Sequence, residues 1–161
     1  MNLPEEISTL TIIIDAVFLA VVIAAAYMDF KKMIIPNGLI IFGLPAMLVL
    51  RFFEHTFPFE SYVIAGVVVG ALFFLASLIT KNQIGGGDFK LWMFVGFSLG
   101  IPYTVMALLL FAVIGMVYAI IRILATKDIH AKMALGPFTA VGALIAYVFG
   151  EPVVNWLIVH V

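Results

Sequence analysis

The segment SYVIAGVVVGALFFLASLIT, residues 61–80, has no charged side chain in twenty consecutive positions. A helix of about 20 predominantly apolar residues crosses the hydrocarbon core of a bilayer. The rest of the chain has the same character, because 65% of its 161 residues are hydrophobic and only 11% are charged. A soluble domain would need more polar side chains to cover its surface. We therefore predict one integral membrane domain over residues 1–161, an all-α, polytopic bundle of transmembrane helices.

Other apolar segments flank this one, and Pro, Gly and charged residues mark the breaks between them. We predict about six transmembrane helices. Glycines within these segments are expected to let neighbouring helices pack closely, as small residues do in membranes; they are Gly66, Gly70, Gly96, Gly100 and Gly115. The predicted segments are 10–28, 38–53, 61–80, 89–100, 102–124 and 133–148.

Positive charge is concentrated on one side of this predicted topology. The other side carries only Arg51 and all five glutamates. Cytoplasmic loops are enriched in Lys and Arg. We therefore expect a multi-pass protein of the cytoplasmic membrane with both termini outside. Its cytoplasmic loops would hold seven of the eight basic residues, namely Lys31, Lys32, Lys81, Lys90, Arg122, Lys127 and Lys132.

Composition also excludes several function classes. The net charge is −1 and the pI is near 6.3, so the chain lacks the excess of basic residues that is typical of nucleic-acid-binding proteins. It has no Cys, which excludes disulfides, thiolate nucleophiles and Cys-ligated zinc. Its three histidines, His55, His130 and His160, lack metal-ligand spacing. We expect neither a metal nor another cofactor.

Two aspartates are expected to meet at one membrane boundary. Asp29 ends the first segment, and Asp88 opens the fourth, within KNQIGGGDFKLW at 81–92. The predicted topology places both at the same end of the bundle. Acids at helix ends are commonly just solvated or paired with adjacent lysines. An acid near the membrane is nevertheless a functional candidate, since an isolated carboxylate is costly away from water.

Three glycines, Gly85, Gly86 and Gly87, precede Asp88 directly. Because glycine has no side chain, another backbone can approach the carboxylate closely, as an extended peptide substrate would need to do. A simple turn needs fewer glycines. We therefore include all three among the candidate substrate-binding residues.

Two carboxylates that share a site repel each other, which favours a state with one protonated and one ionised. Such a pair can activate water against a peptide carbonyl without a metal or a covalent intermediate. Soluble aspartic proteases carry Asp-Thr-Gly or Asp-Ser-Gly, and neither triplet occurs here.

Three stretches of the chain together resemble the prepilin peptidases, membrane aspartic proteases of the GxGD type. GGGDFK at 85–90 matches the GxGD motif followed by a basic residue, DFKKMIIPN at 29–37 matches the first-aspartate segment, and LGPFTAVGAL at 135–144 is similar to the late Gly-Pro-Phe segment. The resemblance implies that Asp29 and Asp88 are the catalytic pair. It also makes Lys90 and Pro137 candidates for contact with substrate.

The resemblance further implies an aspartic endopeptidase that removes the basic leader from type IV prepilins or pseudopilins at the cytoplasmic membrane face. The substrate would carry a Gly at the cut, followed by a hydrophobic helix that stays in the bilayer. Long members of the family also have paired Cys motifs and methylate the new N-terminus. This chain resembles the short form, so we expect no methyltransferase activity and no use of S-adenosylmethionine. Presenilin and signal peptide peptidase share GxGD but are longer and have nine spans.

Helix geometry suggests how the two carboxyl groups divide the chemistry. A helix N-terminus favours an anion and a C-terminus disfavours one. Asp88, at an N-terminus, would therefore be the base, and Asp29, at a C-terminus, would start protonated and polarise the scissile carbonyl. The neighbouring Lys31, Lys32 and Lys90 could reverse this order.

Other polar residues are expected to have structural roles. Asp15 lies 14 positions before Asp29, about 21 Å along a helix, so the two cannot share a proton. Asp15 and Arg51 should lie at similar depth, and we predict an ion pair or a shared polar network between the first two helices. Pro36 disfavours helix in the residue before it, and Asn37 can cap the second helix.

Two further hypotheses remain open at this stage. The chain could be a small transporter or channel whose two acids bind protons or cations, since Gly-interrupted helices fit that class too. A conduction path should carry polar residues at mid-depth in several helices, whereas the acids and glycines here cluster at one face. The third hypothesis is an inactive scaffold in a pilus assembly complex, which would not need both aspartates.

Overall fold

A computed structural model describes residues 9–79, 87–126 and 134–160. Over these residues the chain is helical, which confirms the predicted fold class. The helices are α1 (Thr9–Lys32), α2 (Asn37–Phe53), α3 (Phe59–Ile79), α4 (Asp88–Thr126) and α5 (Gly136–His160).

Four of these helices, α1, α3, α4 and α5, are long and apolar enough to cross a membrane. Helix α2 is also apolar but has only 17 residues. The outward faces of the helices carry large hydrophobic side chains, among them Phe42, Ile79 and Leu124, which are between 75% and 81% exposed. Such a surface is stable in lipid and would associate in water. The protein is a multi-pass membrane protein.

Six helices were predicted, and the described residues form five helical elements, one of which, α4, consists of two helices joined at a kink. The predicted fourth and fifth segments are the two arms of α4, which are joined directly at Gly100 without a loop between them. Gly100 provides the break, with a backbone outside the helical region (φ 72°, ψ 174°). The helix resumes at once because Pro102 is well suited to a first helical turn.

Helix α4 nevertheless changes direction at Gly100, so that its two halves, 88–99 and 101–126, run antiparallel. The rings of Trp92 and Phe111 show this, because their centroids are 5.2 Å apart. In a straight helix, 19 positions would separate them by about 28 Å. Both rings also pack on Phe73 of α3, at 4.9 and 5.8 Å. The sharp bend thus places both halves of α4 against α3.

The bend frees backbone groups that lipid cannot hydrogen-bond. Pro102 has no N–H to donate to the Ser98 carbonyl. The buried Arg51 side chain donates to that carbonyl instead, with Nε 3.0 Å from the oxygen. The Ile101 N–H donates to the Ser61 hydroxyl at 3.0 Å. Each unsatisfied backbone group in a membrane costs several kcal/mol, so these two contacts make the bend possible.

The structure also connects Asp15 with Arg51, through a residue of α5 that the sequence analysis did not single out. The Tyr147 hydroxyl donates a hydrogen bond to Asp15 Oδ1, and it interacts electrostatically with the Arg51 guanidinium. The guanidinium also lies 5.0 Å from the centroid of the Tyr62 ring. Of the two predicted arrangements, the structure shows the shared polar network, and the network extends beyond α1 and α2.

Close packing of α3 on the first half of α4 depends on glycine. A Cβ atom added at Gly96 would lie 2.6 Å from the Cα atom of Gly66, closer than real Cβ contacts come. A Cβ at Gly70 would lie 3.0 Å from the side chain of Met93. The packing prediction holds at these positions, but it is wrong for Gly115, where a Cβ would meet nothing within 4 Å. Gly100 has a different role from the packing glycines, since it forms the bend in α4.

We expect Gly96→Ala to destabilise the protein, because the new methyl group would push α4 away from the backbone of α3. Overpacking of this kind costs about 1–3 kcal/mol. Helix content measured by circular dichroism during titration with a denaturing detergent would give the effect. Gly115→Ala is the matched control and should unfold at the wild-type midpoint; equal midpoints for both variants would contradict the packing.

Candidate active site

Asp29 lies in the last turn of α1 and is buried, with 6% of its surface exposed. The helix ends three residues later, at Lys32. The Met33 N–H makes a last helical hydrogen bond to the Asp29 carbonyl at 2.8 Å, and Met33 itself adopts a left-handed backbone (φ 51°). This conformation is uncommon for a residue other than Gly. It turns the chain towards α2 within one turn of the carboxyl group.

The Asp29 carboxyl is fixed by the start of α5. The Gly136 N–H donates a hydrogen bond to Asp29 Oδ2 at 2.7 Å. The first N–H groups of a helix have no partner within the helix, so this contact satisfies one of them. A Cβ added at Gly136 would lie 2.7 Å from Oδ2 and 2.8 Å from Asp29 Cβ. Only a residue without a side chain fits here.

Asp88 is the first residue of α4 and is buried, with 5% of its surface exposed. The first turn of α4 encloses it, since the Leu91 N–H donates to the Gly87 carbonyl at 3.0 Å. A Cβ at Gly87 would lie 2.8 Å from Ile35 Cβ, so Gly87 lets the segment after α1 approach α4.

Several residues that the sequence analysis named lie outside the described residues: Gly85, Gly86, Lys81, Lys127 and Lys132.

One pocket contains both carboxyl groups. Its volume is about 290 Å³, and we call it the catalytic pocket. The structure thus brings Asp29 and Asp88 together across 59 positions of sequence, although their catalytic role stays a proposal. The residues that line the pocket are Asp29, Met33, Ile34, Ile35, Asn37, Gly87, Asp88 and Lys90.

A hydrogen bond closes one edge of the catalytic pocket. Lys90 Nζ donates to Asn37 Oδ1 at 2.6 Å, which ties the first turn of α4 to the first residue of α2. The predicted cap of α2 by Asn37 is therefore wrong. Pro36 occupies the capping position, without a side-chain hydrogen bond, and the Asn37 side chain is directed to another helix.

Pro137 lies near this site but does not line the catalytic pocket. It is the second residue of α5 and borders a separate cavity of about 380 Å³, with Arg122 and Phe138 among its neighbours. The residue that touches Asp29 is the preceding one, Gly136. The sequence analysis quoted the Gly-Pro-Phe segment that contains it but did not assign it a role. The sequence signal for this role was the Gly-Pro-Phe motif as a whole, because the group of Gly136 that contacts Asp29 is a backbone N–H and not a side chain.

Metal binding has no structural support in the part of the chain that is described. Among those residues, no three His, Asp or Glu side chains come together in a group that could hold a metal ion. What the catalytic pocket offers is two buried carboxyl groups, one of them held by the Gly136 N–H, and an ammonium group.

The pattern of two carboxyl groups at one end of an apolar helix bundle agrees with the comparison with protein families. Residues 16–120 match the family model described as the type IV leader peptidase family. The chain belongs to this family. The match includes both aspartates of the catalytic pocket but ends before α5.

Individual relatives give the same result. The chain is 30% identical over 146 residues to a prepilin leader peptidase/N-methyltransferase of Bacillus subtilis (strain 168), covering 88% of this chain and 58% of that protein. For the protein of that name from Aeromonas salmonicida (strain A449) the identity is 29%, with coverages of 84% and 49%. For that from Pseudomonas putida it is 28%, with coverages of 81% and 48%.

The chain thus spans about half the length of the curated relatives that it matches. No solved structure matches it. Family membership is therefore shown by sequence, and the geometry of the site comes from the structure alone.

We expect Gly136→Ala to reduce cleavage of a prepilin by about 10²-fold, because the methyl group would displace the Asp29 carboxyl by a distance on the order of an ångström. Leader removal would be followed by gel shift at equal enzyme concentration. Gly38→Ala is the control, since a Cβ at Gly38 meets nothing within 4 Å. Wild-type activity in Gly136→Ala would show that the close contact with Asp29 is not needed.

Proposed function

We propose that this protein is a membrane aspartic endopeptidase that removes the basic leader peptide from type IV prepilins or pseudopilins. The observation that carries the proposal is the catalytic pocket, which in a protein of the leader peptidase family is lined by two buried aspartates. Paired carboxyl groups supply both an acid and a base for peptide hydrolysis.

In the proposed reaction, a water molecule lies between the two carboxyl groups and the scissile carbonyl. Asp88, ionised, takes a proton from the water as its oxygen attacks the carbonyl carbon. Asp29, protonated, gives its proton to the carbonyl oxygen. The proton on Asp88 then moves to the leaving nitrogen as the C–N bond breaks, and one hydroxyl of the intermediate returns a proton to Asp29. No covalent intermediate forms.

The Gly136 contact supports a specific role for each oxygen of Asp29. Oδ2 accepts the Gly136 N–H, which suits the unprotonated, carbonyl-like oxygen of a carboxylic acid. The proton would then reside on Oδ1, where it can reach a substrate carbonyl. The position of Asp88 at the first residue of α4 supports its role as the ionised partner, since a helix N-terminus stabilises an anion.

We also propose that the catalytic pocket faces the cytoplasm. Basic side chains of the described residues gather at the end of the bundle that holds Asp29 and Asp88, namely Lys31, Lys32, Lys90 and Arg122. Positive residues are retained on the cytoplasmic side of a membrane. A prepilin whose hydrophobic helix lies in the bilayer would present its cleavage site at this boundary.

Methyl transfer is not part of the proposal, although the names of the relatives include N-methyltransferase. The paired Cys motifs of the long family members have no counterpart among these 161 residues, which contain no Cys. The transporter hypothesis is not supported, because the family model and the relatives all describe leader peptidases.

We expect Asp29→Asn and Asp88→Asn each to lower prepilin cleavage by about 10³-fold or more, because either change removes an acid or a base from the pair. Coexpression with a prepilin from the same genome, with gel shift and N-terminal sequencing, would measure leader removal. Asp15→Asn is the matched control: it changes a partly buried acid of the same helix that lies in the Tyr147 network.

Cleavage by Asp15→Asn should persist if the protein accumulates normally. Loss of activity in Asp15→Asn at normal protein levels would contradict its structural role. Equal processing by wild type, Asp29→Asn and Asp88→Asn would overturn the proposed function.

The division of labour has its own test. We expect Asp88 to ionise before Asp29 as the pH is raised, because their helix ends have opposite effects on an anion. Carboxyl titration by NMR in detergent micelles, with each aspartate assigned by its Asn variant, would give the order. Asp29 ionising first would reverse the assignment of acid and base while leaving the peptidase proposal intact.

A further inference from the structure

A second depression adjoins the catalytic pocket on the side of α2 and α4, and we call it the α2–α4 groove. Its volume is about 340 Å³. Except at the end where it meets the catalytic pocket, its walls are apolar. The residues that form it are Asn37, Ile40, Ile41, Leu44, Pro45, Phe89, Lys90 and Met93.

The groove is a valley along two helices rather than a hole in the core. Its α2 residues recur at intervals of three and four positions, which places them on one face of that helix. Ile41 is 64% exposed, and the deeper wall is formed by the buried Ile40. The volume is near the lower end of the roughly 300–1,000 Å³ of ligand pockets, which suits a few side chains from one face of a helix.

The groove and the catalytic pocket adjoin each other. Asn37 and Lys90 line both of them, and the hydrogen bond between these two side chains lies at the junction. Phe89, in the wall of the groove, directly follows Asp88 in sequence. A polypeptide leaving the two carboxyl groups on this side would pass the Asn37–Lys90 pair and enter an apolar valley that opens to lipid.

The cavity bordered by Pro137 is a poorer exit for an apolar segment. It lies on the other side of Asp29, shares Met33 with the catalytic pocket, and includes the side chain of Arg122. Covering a guanidinium with apolar side chains removes it from water, which is costly. Among the residues that the structure describes, the α2–α4 groove has no charged side chain beyond its junction with the pocket, so an apolar helix can lie in it without that cost.

We propose that the α2–α4 groove binds the apolar helix of the substrate, at the residues that directly follow the cleaved bond. The inference rests on the proposed function and extends it by assigning the surface that recognises the part of the substrate in lipid. The substrate helix would lie against α2 and α4 as an amphipathic helix lies in a hydrophobic groove, with alternate turns inserting side chains. The Asn37–Lys90 pair would mark the point where the extended peptide in the pocket becomes a helix.

Site-specific photocrosslinking tests this assignment. A benzophenone amino acid is placed at Ile41 in the Asp88→Asn variant, which keeps its substrate uncleaved, and a prepilin from the same genome is coexpressed. The control position is Val68, which is 56% exposed and borders a different apolar depression, between α3 and α4. Wild-type protein without the label is assayed for cleavage in parallel.

We expect the label at Ile41 to crosslink to the apolar segment of the prepilin, within its first turns after the cleavage site, and the label at Val68 to give at least about tenfold less of this product. Crosslinks from Ile41 only to lipid, to a second copy of this chain or to the leader would overturn the groove assignment, as would equal crosslinking from both positions. If the wild type does not cleave the prepilin, the proposed function and this inference both fail.

Kinetics give a second readout. Ile41→Trp would fill the groove and should raise KM for the prepilin about tenfold, equivalent to 1.4 kcal/mol of binding, with a much smaller change in kcat. Val68→Trp adds the same side chain at the control position and should leave both constants within about twofold. An unchanged KM in Ile41→Trp, or an equal rise in both variants, would overturn the assignment.

Discussion

The hydrogen bond from Arg51 to the Ser98 carbonyl allows the chain to reverse inside a bilayer. In lipid, a backbone carbonyl that loses its helical partner must find another one, and the bend at Gly100 creates such a carbonyl. Because the partner is provided, the two halves of α4 can run antiparallel along α3. Helix α5 therefore begins at the end of the bundle where α1 finishes, and the Gly136 N–H reaches Asp29. A straight α4 would have placed these groups at opposite ends.

The two ends of the bundle consequently differ in chemistry. One end holds the polar network of Asp15, Tyr147 and Arg51, which joins α1, α5 and α2 and supports the bend. The other holds the catalytic pocket, with Asp29 and Asp88 buried at helix ends. Beside this pocket an apolar groove opens to lipid. A pocket of this kind suits a substrate that is extended at the membrane boundary and helical within the bilayer.

Much of this arrangement could be predicted from sequence, and the failures have physical causes. The pairing of Asp29 with Asp88 followed from charge positions and helix ends, which are local features. Gly100 and the following Pro predicted the break between the fourth and fifth segments, but they did not indicate that a bend without a loop joins them. Gly136 was missed since its contribution is a backbone N–H, which every residue except Pro possesses. Asn37 was expected to cap α2, but tertiary contact with Lys90 competed successfully for its side chain.

The sequence by itself determined that this protein lies in a membrane, that it is built from apolar helices, that its two aspartates stand at helix ends, and to which family it belongs. These properties follow from composition and short motifs, which do not depend on how the helices meet. Only the tertiary structure decided that α4 reverses at Gly100, that Tyr147 joins Asp15 to Arg51, and that α2 and α4 form a groove. Contacts such as that between Asp29 and Gly136, 107 positions apart, arise from packing of distant segments, and no local pattern encodes them.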